Sequence, residues 1–213
     1  MVSLMLQSRF GPTDFRSATG VSRETLEKLQ LYCSLLLTWQ RRSNLIGKST
    51  IDDIWHRHFL DSAQLMKLCK PGSSRLVDFG SGAGFPGMVL ALMGQTGVEL
   101  VESSGKKCLF LEEVSMSTKT PVTISRVRFE KVPRPDPADV VTARAVAPLQ
   151  QLLDDVSRWV KPDGVALLHR GSTVDVEILE AAQYWDFKVV RHPSITNPSG
   201  AILEISGIRP TNV

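Results

Sequence analysis

Between Ser22 and Thr38 apolar side chains return at Leu26, Leu29, Cys33, Leu36 and Leu37. That spacing lines one face of a helix, and Ser22 stands where a hydroxyl can cap the first free amides. A second helix is predicted from Ser49 or Thr50, with an acid in its first turn, through Ile54, Trp55, Phe59, Leu60, Ala63, Leu65 and Leu68; Pro71-Gly72 is expected to stop it. From Arg75 the period changes. Short β-branched runs near 75–79, 98–102, 122–127, 139–143, 164–169, 186–191 and 201–206 alternate with helical patterns near 86–93, 105–117, 148–160 and 174–184. Such alternation predicts βαβ units and a mostly parallel sheet. Only Pro193 to Gly200 separates the last two runs, too little for a helical crossover, so these strands are predicted to be antiparallel. The expected class is α/β: a seven-stranded, Rossmann-like sheet with a C-terminal antiparallel hairpin over residues 72–213, packed as one compact unit with an N-terminal helical extension over residues 1–71.

Composition adds little except by exclusion. The longest apolar run beside a turn, Met88 to Met93, is far short of the ~20 residues that span a bilayer. Met1 to Phe10 has neither the basic start nor the small-residue cleavage site of a secretory leader, so a cytoplasmic protein away from membranes is expected. Cys33, Cys69 and Cys108 form no C-x-x-C pair, and His56, His58, His169 and His192 form no H-x-x-x-H pattern. Neither a disulfide framework nor a metal site is expected. The net charge of +3 is unevenly spread: residues 1–75 hold 11 Lys and Arg against 6 Asp and Glu, a surplus that suits a polyanionic partner.

The candidate chemistry begins at Leu76-Val77-Asp78-Phe79-Gly80-Ser81-Gly82-Ala83-Gly84-Phe85-Pro86-Gly87, an apolar strand ending in an acid and a glycine-dense turn into a helix. Glycines let a ligand approach the main chain, and open α/β sheets place ligands at the C-terminal ends of their strands. The Gly82 to Gly87 spacing fits the dinucleotide pattern G-x-G-x-x-G and so admits a nicotinamide-dependent oxidoreductase. Three features favour S-adenosylmethionine instead. Asp78 would repel a pyrophosphate but can face a methionine amine directly or through water. Pro86 has no N–H for a phosphate. The sheet ends in a hairpin, the plan of the seven-stranded methyltransferases, where a dinucleotide fold ordinarily adds another parallel crossover. Glu102, at the end of the next strand, can accept both ribose hydroxyls of either cofactor.

These residues resemble the glucose-inhibited division protein B (GidB, or RsmG) family of small-subunit 16S ribosomal RNA guanine-N7 methyltransferases, over nearly the whole chain. Asp78 to Gly87 is similar to the family's D-x-G-S-G-A-G-F-P-G, and Glu102-Ser103, Lys106-Lys107 and Phe110-Leu111 to E-S-x-x-K-K-x-x-F-L. Arg128-Phe129-Glu130 resembles R-x-E, and Thr142-Ala143-Arg144-Ala145 the S-R-A segment. Trp39 with Asn44-Leu45, and His58 with Asp61-Ser62, resemble W-N-x-x-x-N-L and H-x-x-D-S. Gln40 departs from the usual Asn, and His169-Arg170-Gly171 replaces a frequent Lys-Gly pair. The resemblance implies S-adenosyl-L-methionine as cofactor and 16S ribosomal RNA or the small ribosomal subunit as partner. DNA is not expected, and the protein is expected to act as a monomer. It places Gly80, Gly82 and Phe85 against the cofactor and Phe129 and Glu130 around its adenine.

Guanine N7 carries a free lone pair, so no catalytic base is expected. In agreement, the fourth strand runs into Arg144-Ala145-Val146-Ala147-Pro148 with no D/N-P-P-Y/F loop, and no cysteine follows Cys108 to act as a nucleophile on cytosine. Arg144 is expected beside the cofactor, either orienting the guanine, for which O6 is a natural partner, or contacting its phosphate. Arg128 and Arg170 are candidates to grip RNA phosphates or the base. Arg41, Arg42, Lys48, Arg57 and His58 can continue the positive surface. A silent RNA-binding module that keeps the fold is a third reading, raised by the change at Arg170.

Overall fold

In a computed structural model, residues 9–69, 75–133, 135–144 and 146–211 are described. Seven strands form one sheet: β1 (Leu76–Phe79), β2 (Val98–Val101), β3 (Thr123–Ser125), β4 (Ala138–Arg144), β5 (Val160–Arg170), β6 (Trp185–Pro193) and β7 (Ala201–Pro210). Their order is β3-β2-β1-β4-β5-β7-β6. The first five are parallel, and β7 lies antiparallel between β5 and β6. The predicted terminal hairpin is therefore present, and chain direction reverses twice at that edge. The order also reverses between β1 and β4, which places the tip of β1 at the topological switch where such sheets take ligands.

Two apolar layers cover the sheet. On one face α1 (Pro12–Thr19) and α2 (Arg23–Gln40) join α4 (Gly87–Leu92) and α5 (Gly105–Thr118) around Phe15, Tyr32, Phe59, Met88, Leu100 and Phe110. On the other, α6 (Leu149–Trp159) and α7 (Val174–Ala181) close over Phe79, Val141, Leu153, Trp159 and Leu168. No helix among the described residues is long and apolar enough to cross a membrane.

The structure differs from the sequence reading in two places. Helix α1 was not predicted, although Pro12 opens it, Asp14 accepts from the Gly11 amide at 2.8 Å and Gly20 closes it at φ 71°. The second predicted helix is not a regular α-helix. Residues Lys48–Asp53 and Gln64–Lys67 are 3-10 turns, Trp55–Leu60 is a π-turn, and only α3 (Asp61–Ala63) between them is α-helical. Apolar spacing reports which face is buried and leaves the winding open, and π-turns recur at functional sites. The stop proposed at Pro71-Gly72 lies outside the described residues.

Candidate active site

The turn after β1 is built around two glycines with different tasks. Gly82 adopts φ 59°, and a Cβ there would meet only the Gly80 carbonyl at 3.7 Å, so open space lies beside its backbone. Gly84, at φ 95°, has no such space: a Cβ would lie 2.7 Å from the Tyr32 hydroxyl. That hydroxyl, fully buried, donates to the Ala83 carbonyl, so helix α2 grips the turn from behind. Gly80 also sits at φ 59°, against Val146.

The two acids frame this turn. Asp78 is wholly buried; one carboxylate oxygen accepts from the Thr142 hydroxyl at 2.6 Å and the other from the Gly87 amide at 3.3 Å. Burial raises its pKa to about 6, against the opposing pull of those hydrogen bonds and the nearby Arg144 charge. The structure thus places Asp78 behind the turn, fastening it, and not in the open position facing a ligand that its sequence position suggested. Glu102 spans the mouth instead. Its carboxylate accepts from the Gly82 amide at 2.9 Å and the Ser104 amide at 2.7 Å. Each oxygen keeps a lone pair, enough to take two vicinal hydroxyls. Phe129 stacks on Phe79 at 4.4 Å with an interplanar angle of 5°, in a 3-10 turn whose next residue, Glu130, is exposed. The open backbone at Gly82, the acid at the strand-two tip and the aromatic beyond β3 fit an adenosine moiety.

Arg144 ends β4, directly opposite His169 on β5. Its guanidinium lies 5.2 Å from the Phe85 ring centroid. Nη1 donates to the Arg57 carbonyl and to Asp61 Oδ2, each at 3.3 Å, and Nη2 donates to His58 Nδ1 at 3.0 Å. Asp61 also accepts from Thr196 at 2.5 Å through its other oxygen, and its carbonyl takes His169 Nε2 at 2.9 Å. Burial, reinforced by Arg144, drives the His58 pKa down to about 3 and lowers that of His169. Both rings are therefore neutral near pH 7. Together these residues line a cleft of about 440 Å³ that also reaches Arg170. Asp61, Thr196 and Tyr32 were not singled out from sequence as site residues; only the H-x-x-D-S pattern pointed toward Asp61.

Two sequence candidates, Arg170 and His58, need correction. Arg170 does not reach outward: its side chain is 7% exposed, paired to Glu177 at 3.4 Å, and Nη1 donates to the Ala147 carbonyl at 2.7 Å. It acts first as a clamp between β5, α7 and the α6 approach, because burying a guanidinium requires a partner charge. His58 is buried and neutral, so it adds nothing to the positive surface, whereas Arg41, Arg42, Lys48 and Arg57 are exposed. Arg128 is exposed and is not among the residues lining the cleft. Phe85 is largely enclosed, stacked at 5.4 Å on Tyr32, with Arg144 over its ring.

Among solved structures, the chain resembles the glycopeptide N-methyltransferase MtfA complexed with S-adenosyl-L-methionine (TM-score 0.59, 10% identity, covering 70% of this chain and 93% of that one). It also resembles a ribosomal protein L11 methylase from Lactobacillus delbrueckii subsp. bulgaricus (TM-score 0.57, 14% identity, 68% and 76%). At these identities the likeness establishes the fold, which is that of the S-adenosylmethionine-dependent methyltransferases. Sequence relatives are much nearer. The ribosomal RNA small subunit methyltransferase G of Paramagnetospirillum magneticum is 50% identical over 92% of this chain and 95% of its own length, and that of Rhodospirillum centenum is 48% identical over 94% and 93%. The nicotinamide reading of the glycine spacing is set aside by these matches, and S-adenosylmethionine is the cofactor. Because the model of rRNA small subunit methyltransferase G spans residues 25–205, taking in the glycine turn, Arg144 and the hairpin alike, the chain belongs to that family.

Proposed function

We propose that this protein methylates N7 of a guanine in 16S ribosomal RNA, acting as a monomer in the cytoplasm on the RNA or the assembled small subunit. The observation that carries the reading is the place of Arg144: at the tip of β4, beside the glycine turn, at the wall of a polar cleft. S-adenosylmethionine, when bound, supplies an electrophilic methyl group on a sulfonium. Gly80, Gly82 and Glu102 are the residues that hold its adenosine, with Phe129 and Glu130 bordering the base and Asp78 keeping the turn in shape.

The nucleophile needs orientation and no deprotonation. A guanine N7 offers its lone pair at neutral pH, and the cleft matches that demand. His58 has Nδ1 engaged by Arg144 and Nε2 by the Thr50 hydroxyl at 2.7 Å, so it is poorly placed to accept a substrate proton. Arg144, an obligate cation, can donate to guanine O6 but cannot take a proton. Orientation of this kind is worth up to ~7–11 kcal/mol in favourable systems. Arg57 lines the cleft, and it and the exposed Arg41, Arg42 and Lys48 suit phosphate contacts, which position RNA without reading sequence. Incubating the protein with methyl-labelled S-adenosylmethionine and small ribosomal subunits tests the reading. Label on a guanine of 16S RNA supports it; cofactor binding without any label on RNA supports the silent module.

A further inference from the structure

Beyond β3, an edge strand of three residues, the chain leading to β4 has one regular piece among the described residues, the 3-10 turn Phe129–Lys131. A turn that short does not hold itself. Two of its bonds are internal: the Lys131 amide donates to the Arg128 carbonyl at 2.9 Å and the Val132 amide to the Phe129 carbonyl at 3.3 Å. The Glu130 and Val132 carbonyls instead accept from the guanidinium of Arg158, in the last turn of α6. Nη2 donates to the first at 3.4 Å and Nη1 to the second at 2.9 Å. Asp155, one turn earlier and buried, aims this fork by accepting from Nη2. The ring of the turn is held as well. Trp159, the neighbour of Arg158, meets Phe79 at 5.3 Å and 74°, and Phe79 is the ring on which Phe129 stacks.

Resting on the reading that Phe129 and Glu130 border the adenine, we propose that Arg158 is a positioning residue for S-adenosylmethionine: it holds the Phe129–Lys131 turn in the shape that receives the base, acting through that turn and not on the cofactor itself. A turn already in place binds its ligand without first being ordered. Released from Arg158, it has to be ordered at each binding event. The effect therefore falls on cofactor affinity and leaves the methyl-transfer step alone.

Calorimetric binding of S-adenosylmethionine, thermal melting and the split between kcat and KM test this in two variants. Arg158→Met removes the fork; Arg158→Lys keeps a charge beside Asp155 but has no planar fork to span two carbonyls. Arg158→Met is expected to weaken cofactor binding roughly three- to tenfold, the factor that loss of one net hydrogen bond corresponds to, with kcat at saturating cofactor and KM for the small subunit within about twofold. Arg158→Lys is expected to lie between Arg158→Met and wild type. A lower melting temperature with wild-type cofactor affinity would mean a merely structural role and overturn the proposal. If Arg158→Met does not fold, Arg158→Lys decides: weaker cofactor binding supports the proposal, and wild-type affinity refutes it. A double variant shows whether the effect passes through the turn. Phe129→Leu leaves an apolar side chain without the aromatic face, so adding Arg158→Lys should then weaken binding little further; losses that multiply in the double variant place the action of Arg158 elsewhere and overturn the proposal. Unimpaired cofactor binding in both Phe129→Leu and Glu130→Ala defeats the adenine reading itself. Impaired binding there, beside wild-type affinity in the Arg158 variants, defeats only the positioning role.

Discussion

The carboxyl of Asp78 carries a measurable cost that ties the sheet to the cofactor turn. Its pKa is raised from 3.8 to about 6 because burial disfavours the anion more than the Thr142 and Gly87 hydrogen bonds favour it. One unit is worth 1.36 kcal/mol, so the ionised group weakens the fold by about 3 kcal/mol at neutral pH. The direction follows from linkage. As pH rises through 3.8 the unfolded chain gives up this proton first, so the stability contributed by the protonated group is complete below that value. It is lost progressively until the folded carboxyl ionises near pH 6. Roughly half of the loss falls between pH 5 and 7.5. A gap of that size moves the melting temperature by about 3–6 °C in a chain of this length. Melting curves of wild type and Asp78→Asn across this range should converge or diverge accordingly, with wild type losing ground as pH rises; carboxyl-carbon NMR reads the titration directly. A midpoint at or below pH 4, with a constant gap between the two proteins, would refute the account.

Other outcomes follow from the same contacts. Tyr32→Phe removes the buried donor to the Ala83 carbonyl and should cost about 1–3 kcal/mol, seen as a lower melting temperature together with weaker cofactor binding by calorimetry; unchanged values for both would show that α2 does not support the turn. Arg144→Ala should keep the cofactor affinity and lose methyl transfer, whereas an unfolded variant would make Arg144 a structural residue. Arg170→Lys retains the charge opposite Glu177 and should preserve activity, while Arg170→Met leaves Glu177 without its cation and should destabilise by about 3–5 kcal/mol on denaturant titration.

The sheet and the glycine turn were legible because their signals are local. Alternating short apolar runs mark strands, and Pro193 to Gly200 is too short for anything but a reversal. Gly82, Glu102 and Arg144 could be placed from sequence because each stands at a strand tip. The environment of Arg144 was not legible in the same way. Asp61, His169 and Thr196 are far apart in the chain and meet only once the helical segment, β5 and the hairpin loop pack together. His58 was misread for a related reason. It follows exposed Arg57 in a basic stretch, yet successive residues on a helical turn point in different directions, and His58 turns inward onto Phe85 at 5.0 Å. Arg170 shows the limit of reasoning from residue type: a cation after a strand suggests an open anion site, while the Glu177 carboxylate on α7 encloses it.

The central claim is that this cleft delivers a methyl group to guanine N7. Labelled S-adenosylmethionine, the purified full-length protein and small ribosomal subunits, followed by nucleotide mapping of the 16S RNA, address it directly. The account expects label on a single guanine as the N7-methyl derivative, abolished by Arg144→Ala; label on another base or another guanine atom would contradict it.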